Sequence, residues 1–199
     1  MAKAAYHHGD LRKALIEAAE AELAEKGIEG FALRGVAKRA GVSHAAPAHH
    51  FADTNALLTA LAALAFQRLA DSMSGRQSKA ADDPRAQFIA SGLGYLDFAL
   101  SNPALFKLMF GSQRPNSTDA ELISYGSRAF KILVDAIAAV RERDPLADHA
   151  GLLDIAAAWG VVHGLANLLI ADRMRFLQPA LAANRDEALS EIIGRALPA

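Results

Sequence analysis

The chain has 199 residues, of which 52% are hydrophobic, and its formal net charge is −1. This length supports one large or two small domains with a substantial core. The chain contains no cysteine, which excludes disulfides and thiolate metal sites. Its hydrophobic residues are largely alanine and leucine, which favour helices, and no stretch alternates apolar and polar residues long enough to indicate a strand. The composition therefore predicts an all-α protein.

Two segments bear on the compartment of the protein. Residues 1–10 are polar and rich in histidine, and they contain no apolar run that could serve as a signal peptide. The longest uncharged run, residues 155–171, contains His163 and Asn167 and is shorter than a membrane span requires. We interpret this run as a buried helix. The sequence thus predicts a cytoplasmic protein with no membrane partner.

The chain begins with two predicted helices. Asp10 has the residue type of an N-cap, and apolar residues then recur every four positions up to Gly27, which would end the helix. The second helix covers residues 33–40 and is followed by Gly41. Glycine is the residue favoured at a left-handed C-cap, so we expect a positive φ at Gly41.

A third and a fourth helix follow directly. Ser43 would cap the third, which is predicted to begin at His44 with Pro47 in its first turn. Asp53 would cap a long fourth helix, and the polar stretch 73–84 is interpreted as its end and a linker. Five more helices are predicted over residues 88–100, 104–110, 118–142 and 148–175 and, after Pro179, from Ala180 to about Leu197. The expectation is about nine helices, with an N-terminal three-helix domain over 1–53 and a C-terminal helical bundle over 54–199.

The second and third helices, joined by the turn at residues 41–43, have the pattern of a helix-turn-helix. In that motif the second helix enters the major groove of DNA, where small residues allow close approach and alanine methyls can contact thymine methyls. Between Ala32 and Ala52 the chain has three Lys or Arg residues, three histidines and no acid, which suits phosphate contact. The residues predicted to contact DNA are Arg34, Lys38, Ser43, His44, Ala45, Ala46, Ala48, His49 and Thr54.

Several segments closely resemble the TetR family of one-component repressors. In the N-terminal part they are residues 6–12, 33–37, 40–47 and 50–51. In the C-terminal half, segments within residues 98–110 and Trp159 with residues 162–165 are similar to the TetR subgroup named for its Trp-His-Gly motif. The resemblance implies a ligand-responsive regulator, a repressor by family default. It also implies a homodimer, a palindromic operator and a small-molecule inducer pocket inside the C-terminal bundle.

This chain departs from the subgroup at three positions of the predicted DNA-binding surface. Members usually carry a tyrosine at the position of Ala48, an arginine at that of His49 and a lysine at that of Thr54. In the family the aromatic residue and the lysine help to hold the DNA backbone. Each missing cation weakens phosphate contact and lowers the salt dependence of binding. The alternative function is therefore a dimeric helical ligand-binding or interaction module with weakened DNA binding.

Trp159 and His163 lie four residues apart on the uncharged helix and share one face. They could line a ligand pocket or form a core or dimer-interface stripe, and the small residues Gly160 and Gly164 favour close packing by another helix. The aromatic residues of the C-terminal half could likewise line an apolar cavity or form plain core. The predicted pocket residues are Phe88, Tyr95, Phe98, Phe106, Met109, Phe110, Phe130, Trp159 and His163.

The sequence predicts a homodimer without a metal site or enzymatic activity. The last two long helices, residues 148–175 and 180–197, carry more apolar surface than one small core needs, and the second offers Leu181, Leu189, Ile192 and Ile193. No carboxylate completes a metal site within the segment that holds His44, His49 and His50. There is no glycine-rich phosphate loop and no Ser/His/Asp arrangement of a hydrolase. We predict no metal, no cofactor and no enzymatic activity.

Overall fold

The computed structural model describes residues 8–197. This part of the chain contains eight α-helices, two short 3-10 helices and no strand, which confirms the predicted all-α class. The α-helices are α1 (His8–Gly30), α2 (Leu33–Arg39), α3 (Thr54–Gln77), α4 (Pro84–Ser101), α5 (Pro103–Gly111), α6 (Ala120–Arg141), α7 (His149–Ile170) and α8 (Gln178–Gly194). The 3-10 helices are Ala46–His49 and Arg175–Leu177.

Aspartates begin four of the helices. The carboxylate of Asp53 accepts a hydrogen bond from the amide of Ala56 at 2.8 Å, which confirms the predicted cap of α3. Asp83, Asp119 and Asp148 cap α4, α6 and α7 in the same way. The cap at Asp83 corrects the prediction of a linker up to residue 84, because it starts α4 at Pro84 rather than at residue 88.

Two helix ends differ from the predictions. Gly27, with φ 66°, interrupts α1 where an end was predicted, although helical turns continue to Gly30. The helix predicted over residues 148–175 ends at Ile170, because Asp172 takes a left-handed conformation with φ 52°. The final helix, α8, contains a non-helical residue at Asn184.

The third predicted helix, from His44 onward, is not formed as an α-helix. Most hydrogen bonds in this segment join residues three apart, as from the amide of Ala46 to the carbonyl of Ser43 at 3.0 Å. Pro47 has no amide hydrogen, so the bond that an α-helix would make back to Ser43 is missing. The resulting 3-10 helix has four residues, a length typical of this tighter form. Ala45 precedes it, and no side chain caps it, so the predicted Ser43 cap is wrong.

The helices form two compact units. The first combines the chain up to Ala65 with Ala104–Ser124, and the second combines Phe66–Pro103 with the chain from Tyr125 onward. In the first unit α1 packs against α2, and α2 packs against the first 3-10 helix. In the second unit α4 packs against α7 and α8. The predicted division into an N-terminal domain over residues 1–53 and a C-terminal bundle over residues 54–199 stays a prediction.

The apolar helix α7 differs from its prediction. By length and composition alone, the whole helix is the one described helix that could cross a membrane, and a single helix of this kind is weak evidence of a span. Only 28% of its most apolar window is buried, so the prediction of a buried helix is wrong for part of its surface. It carries His163 and Asn167 and packs against α4 and α8. α7 therefore has one buried face and one exposed apolar face.

Candidate DNA-binding surface and ligand cavity

The turn after α2 is closed by main-chain hydrogen bonds around Gly41. The Val42 amide donates to the Ala37 carbonyl at 3.0 Å, and the Gly41 amide donates to the Lys38 carbonyl at 3.2 Å. This pair of bonds defines a Schellman motif, which needs a left-handed residue at the first of the two donors, directly after the helix cap. Gly41 has φ 67°, as predicted. The motif fixes the direction in which the chain leaves α2 toward the 3-10 helix.

The two arms of this turn have a buried side and an exposed side. Val36, Ala37, Pro47 and Phe51 are buried beneath them. The predicted DNA contacts lie on the other side: Arg34, Lys38, Ser43, His44, Ala45, Ala48 and His49 are exposed, and Ala46 and Thr54 are half-buried. The exposed side is therefore formed by small and basic residues, and we call it the α2–turn surface.

Arg39, one of the three cations counted in this segment, is engaged inside the first unit. Its guanidinium donates to the carboxylate of Glu22 at 2.6 Å and also bonds Glu25. Glu22 is only 5% exposed, and a Cβ at Gly35 would lie 2.0 Å from its carboxylate. The absence of a side chain at Gly35 thus makes room for this ion pair between α1 and α2.

This ion pair changes the electrostatics predicted for the α2–turn surface. Hydrogen bonds from Lys26 and Arg39 lower the pKa of the Glu25 carboxyl to about 2, so it stays charged at neutral pH. With Glu22 and Glu25 opposite it, Arg39 adds little net positive charge. Arg34, Lys38 and the histidines remain as the basic groups of this surface.

The sequence reasoning missed a group of residues that fixes the loop after α5 within the first unit. Arg114 donates to the carbonyl of Ile28 at 2.9 Å and to the side-chain oxygen of Asn55 at 3.1 Å. The amide of Asn116 donates to the hydroxyl of Thr59 at 2.9 Å. These partners are 57 to 86 residues apart in the chain, so no local pattern signals them.

A cavity of about 100 Å³ lies in the second unit, enclosed by parts of α3, α4, α6, α7 and α8. None of the described residues that line it is Asp, Glu, Lys, Arg or His. Phe130 and Trp159 are each 41% exposed, and their ring centroids are 6.3 Å apart. The cavity therefore reaches the protein surface beside these two rings. Its aromatic lining residues are Phe66, Phe88, Tyr95, Phe130 and Trp159.

The polar groups that line the cavity are bonded within the protein. The hydroxyl of Tyr95 and Nδ1 of His163 share a hydrogen bond of 2.8 Å. Burial raises the pKa of Tyr95, and a hydrogen bond from Trp159 acts in the opposite direction. The hydroxyl of Ser91 donates to the carbonyl of Phe88 at 2.7 Å. The pair Trp159 and His163, singled out in the sequence, is thus brought together through Tyr95.

The predicted pocket residues fall into three groups. Phe88, Tyr95, Phe130 and Trp159 line the cavity, and His163 contacts it through Tyr95. Phe98 is buried in α4 but does not line it. The other three lie in α5, which belongs to the first unit: Phe106, Met109 and Phe110. There the rings of Phe106 and Phe110 pack with centroids 5.1 Å apart.

Acid is expected to destabilise the second unit through His163. Burial lowers the pKa of His163 below its usual 6.5, so the folded chain keeps this imidazole neutral where the unfolded chain protonates it. The unfolded state then binds more protons, and the free energy of unfolding falls as the pH drops below about 6.5 through the folded pKa. Urea unfolding at several pH values measures this dependence. The free energy of unfolding of His163→Gln should fall less steeply with falling pH than that of the parent protein. Identical pH profiles for parent and variant would contradict this role.

The exposed face of α7 is apolar. Leu152 is 49% exposed, Leu153 56% and Leu168 46%, and Trp159 lies on the same helix. A Cβ added at Gly160 or Gly164 would meet no atom of a neighbouring element within 4 Å, so no other element among the described residues uses the close approach that these glycines allow. On α8, two of the four predicted interface residues are unavailable: Leu189 and Ile193 are 0% and 1% exposed in their own chain.

Two family models match the chain. "Bacterial regulatory proteins, tetR family" matches residues 15–61, and "Tetracyclin repressor-like, C-terminal domain" matches residues 88–195. The first match covers α2, Gly41 and the 3-10 helix, and the second covers more than half of the chain, including most of the cavity.

Relatives and solved structures agree with these matches. The HTH-type transcriptional regulator BetI of Yersinia pestis is 36% identical over 99 residues, which are 48% of this chain and 49% of that protein. The chain thus matches about half the length of these curated relatives. A protein of unknown function from Rhodococcus sp. RHA1 has a similar structure, with a TM-score of 0.79, 32% identity and coverage of 99% of this chain and 100% of that one.

A more distant structure shows the same fold. It is a TetR family transcription regulator from Marinobacter aquaeolei VT8, with a TM-score of 0.68, 18% identity and 94% of each chain covered. The C-terminal match over residues 88–195, more than half of the chain, and the N-terminal match over residues 15–61 together show the family. This chain belongs to the TetR family of DNA-binding transcriptional regulators.

Proposed function

We propose that the chain is a ligand-responsive repressor that binds a palindromic operator as a homodimer and is released by a small-molecule inducer. The observation that carries the proposal is the Schellman turn at Gly41, which holds an exposed surface of small and basic residues beside α2. Residues 1–53 would bind DNA, and residues 54–199 would bind the inducer and form the dimer. The protein would act in the cytoplasm, with no cofactor, metal or membrane partner and no enzymatic activity.

On the α2–turn surface, each group has a separate role in this proposal. His44, Ala45 and Ala46 would face base edges in the major groove, where small side chains permit close approach. Arg34, Lys38 and Ser43 would contact phosphates, which orient the protein without reading sequence. Ala48, His49 and Thr54 would lie beside the backbone of the DNA. Sequence choice and affinity would therefore depend on different residues.

The dimer is supported by the exposed face of α7. Its leucines and Trp159 form an apolar surface, and surfaces of this kind mark interaction sites. The open positions at Gly160 and Gly164 would let the same helix of a second copy approach closely. α8 would contribute Leu181 and Ile192, which are half-buried, rather than Leu189 and Ile193. A two-fold dimer of this kind would present two α2–turn surfaces to two half-sites.

The C-terminal half would belong to the TetR subgroup named for its Trp-His-Gly motif. The support is Trp159 together with His163 and Gly164, and the contact that Trp159 and His163 both make with Tyr95.

The alternative function is a dimeric ligand-binding or interaction module whose DNA binding has weakened. Two observations favour it: Ala48, His49 and Thr54 replace residues that usually help to hold DNA, and Arg39 is paired with Glu22 and Glu25. Fluorescence anisotropy on the DNA upstream of the gene, and on scrambled DNA of equal length, separates the two functions. A regulator binds the upstream DNA more tightly, with an affinity that falls as salt rises. Equal, weak binding to both DNAs supports the alternative.

Restoring the usual residues is expected to strengthen DNA binding without changing sequence preference. In Ala48→Tyr/Thr54→Lys, each new lysine–phosphate contact should steepen the log–log salt slope by about 0.9, hence by about 1.8 for a dimer. The tyrosine should add affinity with little change in slope. Anisotropy titrations over a range of salt measure both effects. The control is Ala81→Lys, which adds the same charge at an exposed position between α3 and α4. A gain on one sequence only, or an equal gain in the control, contradicts the proposed placement.

A further inference from the structure

We propose that the ligand of the cavity in the second unit is a small, uncharged compound built on a single aromatic ring. The inference rests on the proposed function and specifies the chemical class of the inducer. It draws on three properties of the cavity: the charge of its lining, the state of its polar groups, and its size and aromatic content.

The lining excludes charged ligands. The cavity wall contains no acidic, basic or histidine side chain among the described residues. Charged groups on the helices that form the cavity pair with one another instead: Arg76 bonds Asp97 and Asp186, and Arg128 bonds Asp71. A carboxylate or ammonium group entering the cavity would lose its water without gaining a partner, which is strongly unfavourable. The ligand is therefore neutral.

The polar groups of the wall offer a ligand few hydrogen bonds. Ser91 donates to the carbonyl of Phe88, and Tyr95 shares its hydrogen bond with His163. A strongly polar ligand would have to break these bonds or leave its own groups unsatisfied, and either loss costs affinity. Recognition thus depends mainly on apolar contact.

The size and the walls favour a ring. The volume of about 100 Å³ is in the range of the roughly 150 Å³ cavity that binds benzene in another protein. Five aromatic side chains, among them Phe66, Phe88 and Tyr95, surround this space. Aromatic pairs prefer offset or edge-to-face contacts, which a flat ring can make with several of these walls at once. A substituent on the ring would reach the surface beside Phe130 and Trp159.

The test uses three compounds that each contain seven carbon atoms: toluene, methylcyclohexane and benzoate. Trp159 is the only tryptophan of the chain, so its fluorescence reports directly on the cavity. Toluene should change the fluorescence saturably, with one site per chain. Methylcyclohexane and benzoate should each bind at least about tenfold more weakly than toluene. If benzoate binds with the same affinity as toluene, the inference that the ligand is neutral is overturned. Methylcyclohexane binding equally well would overturn the aromatic class, and no saturable change with toluene would overturn both.

Two variants locate the binding site. Gly126 lines the cavity, and a Cβ there would meet no atom within 4 Å, so Gly126→Leu should fill the space without a clash. This variant should lose toluene binding at least tenfold. Gly75→Leu is the matched control, because Gly75 is also a helical glycine with open space but does not line the cavity. Its toluene affinity should equal that of the parent, and equal affinity in Gly126→Leu would overturn the site.

Operator binding measured on the same protein separates this inference from the proposed function. If the operator is bound but toluene is not, the ligand class is wrong and the regulator stands. If toluene is bound in the cavity but no upstream DNA is bound specifically, the ligand class stands and the regulator is wrong.

Discussion

Gly41→Val is expected to weaken specific operator binding strongly and to destabilise the first unit. Valine disfavours the φ of 67° that the Schellman turn requires, and the left-handed conformation costs an L-residue about 1–2 kcal/mol. If the turn opens instead, the 3-10 helix leaves its position beside α2 and the α2–turn surface is lost. Anisotropy should show operator affinity reduced by about tenfold or more, which corresponds to at least about 1.4 kcal/mol.

The control for this variant is Gly41→Asn. A Cβ at position 41 would meet no atom within 4 Å, so a side chain is not excluded by space, only by backbone conformation. Asparagine visits the left-handed region more readily than other residues, so it should retain most of the stability and binding. Urea unfolding and anisotropy should rank the parent first, Gly41→Asn second and Gly41→Val last. Equal behaviour of valine and asparagine would show that the turn conformation does not control binding.

Gly160→Leu is expected to convert the proposed dimer to a monomer. Operator binding should then weaken by about 100-fold or more, because two linked half-site contacts gain strongly from avidity. Gly160 is exposed, and among residues 8–197 a Cβ there would meet no atom of another element within 4 Å. The leucine therefore fits the isolated protomer and also favours the helix. It would, however, keep the same helix of a second copy from approaching closely. Sedimentation at micromolar concentration measures the change.

Gly75→Leu serves again as the control, since it replaces another open, exposed helical glycine outside α7 and α8. It should sediment as the parent does and keep operator affinity. A parent protein that sediments as a monomer would contradict the dimer itself. A Gly160→Leu variant that remains a dimer would place the interface elsewhere.

Local signals in the sequence predicted the parts of the fold that depend on local chemistry. The positive φ at Gly41 and the cap at Asp53 both follow from the preferences of a single residue for a conformation or a hydrogen bond. The third predicted helix, from His44 onward, was wrongly predicted as an α-helix because its sequence pattern is typical of one. The segment instead forms a four-residue 3-10 helix, and Pro47 within it has no amide hydrogen to donate.

The burial of Glu22, one partner of the ion pair with Arg39, could have been predicted from the sequence. Glu22 lies next to Leu23 and seven positions after Leu15, on the inward stripe of α1, so its burial could have been anticipated. Its pairing with Arg39 could not, because it depends on the packing of α1 against α2. For the same reason the sequence could not separate the aromatic residues of α5 from those around the cavity. Phe106 and Phe88 have similar local surroundings but belong to different units.

A hydroxyl-radical footprint on the DNA upstream of the gene tests the central claim, that this chain reads an operator through two α2–turn surfaces. We expect two protected patches related by a palindrome. Their half-site centres should be separated by about one helical turn of DNA or a small multiple of it. Lys38→Ala should weaken both patches equally, because Lys38 of each copy is proposed to contact phosphate. The absence of any protected patch, or a footprint that Gly41→Val leaves unchanged, would contradict the central claim.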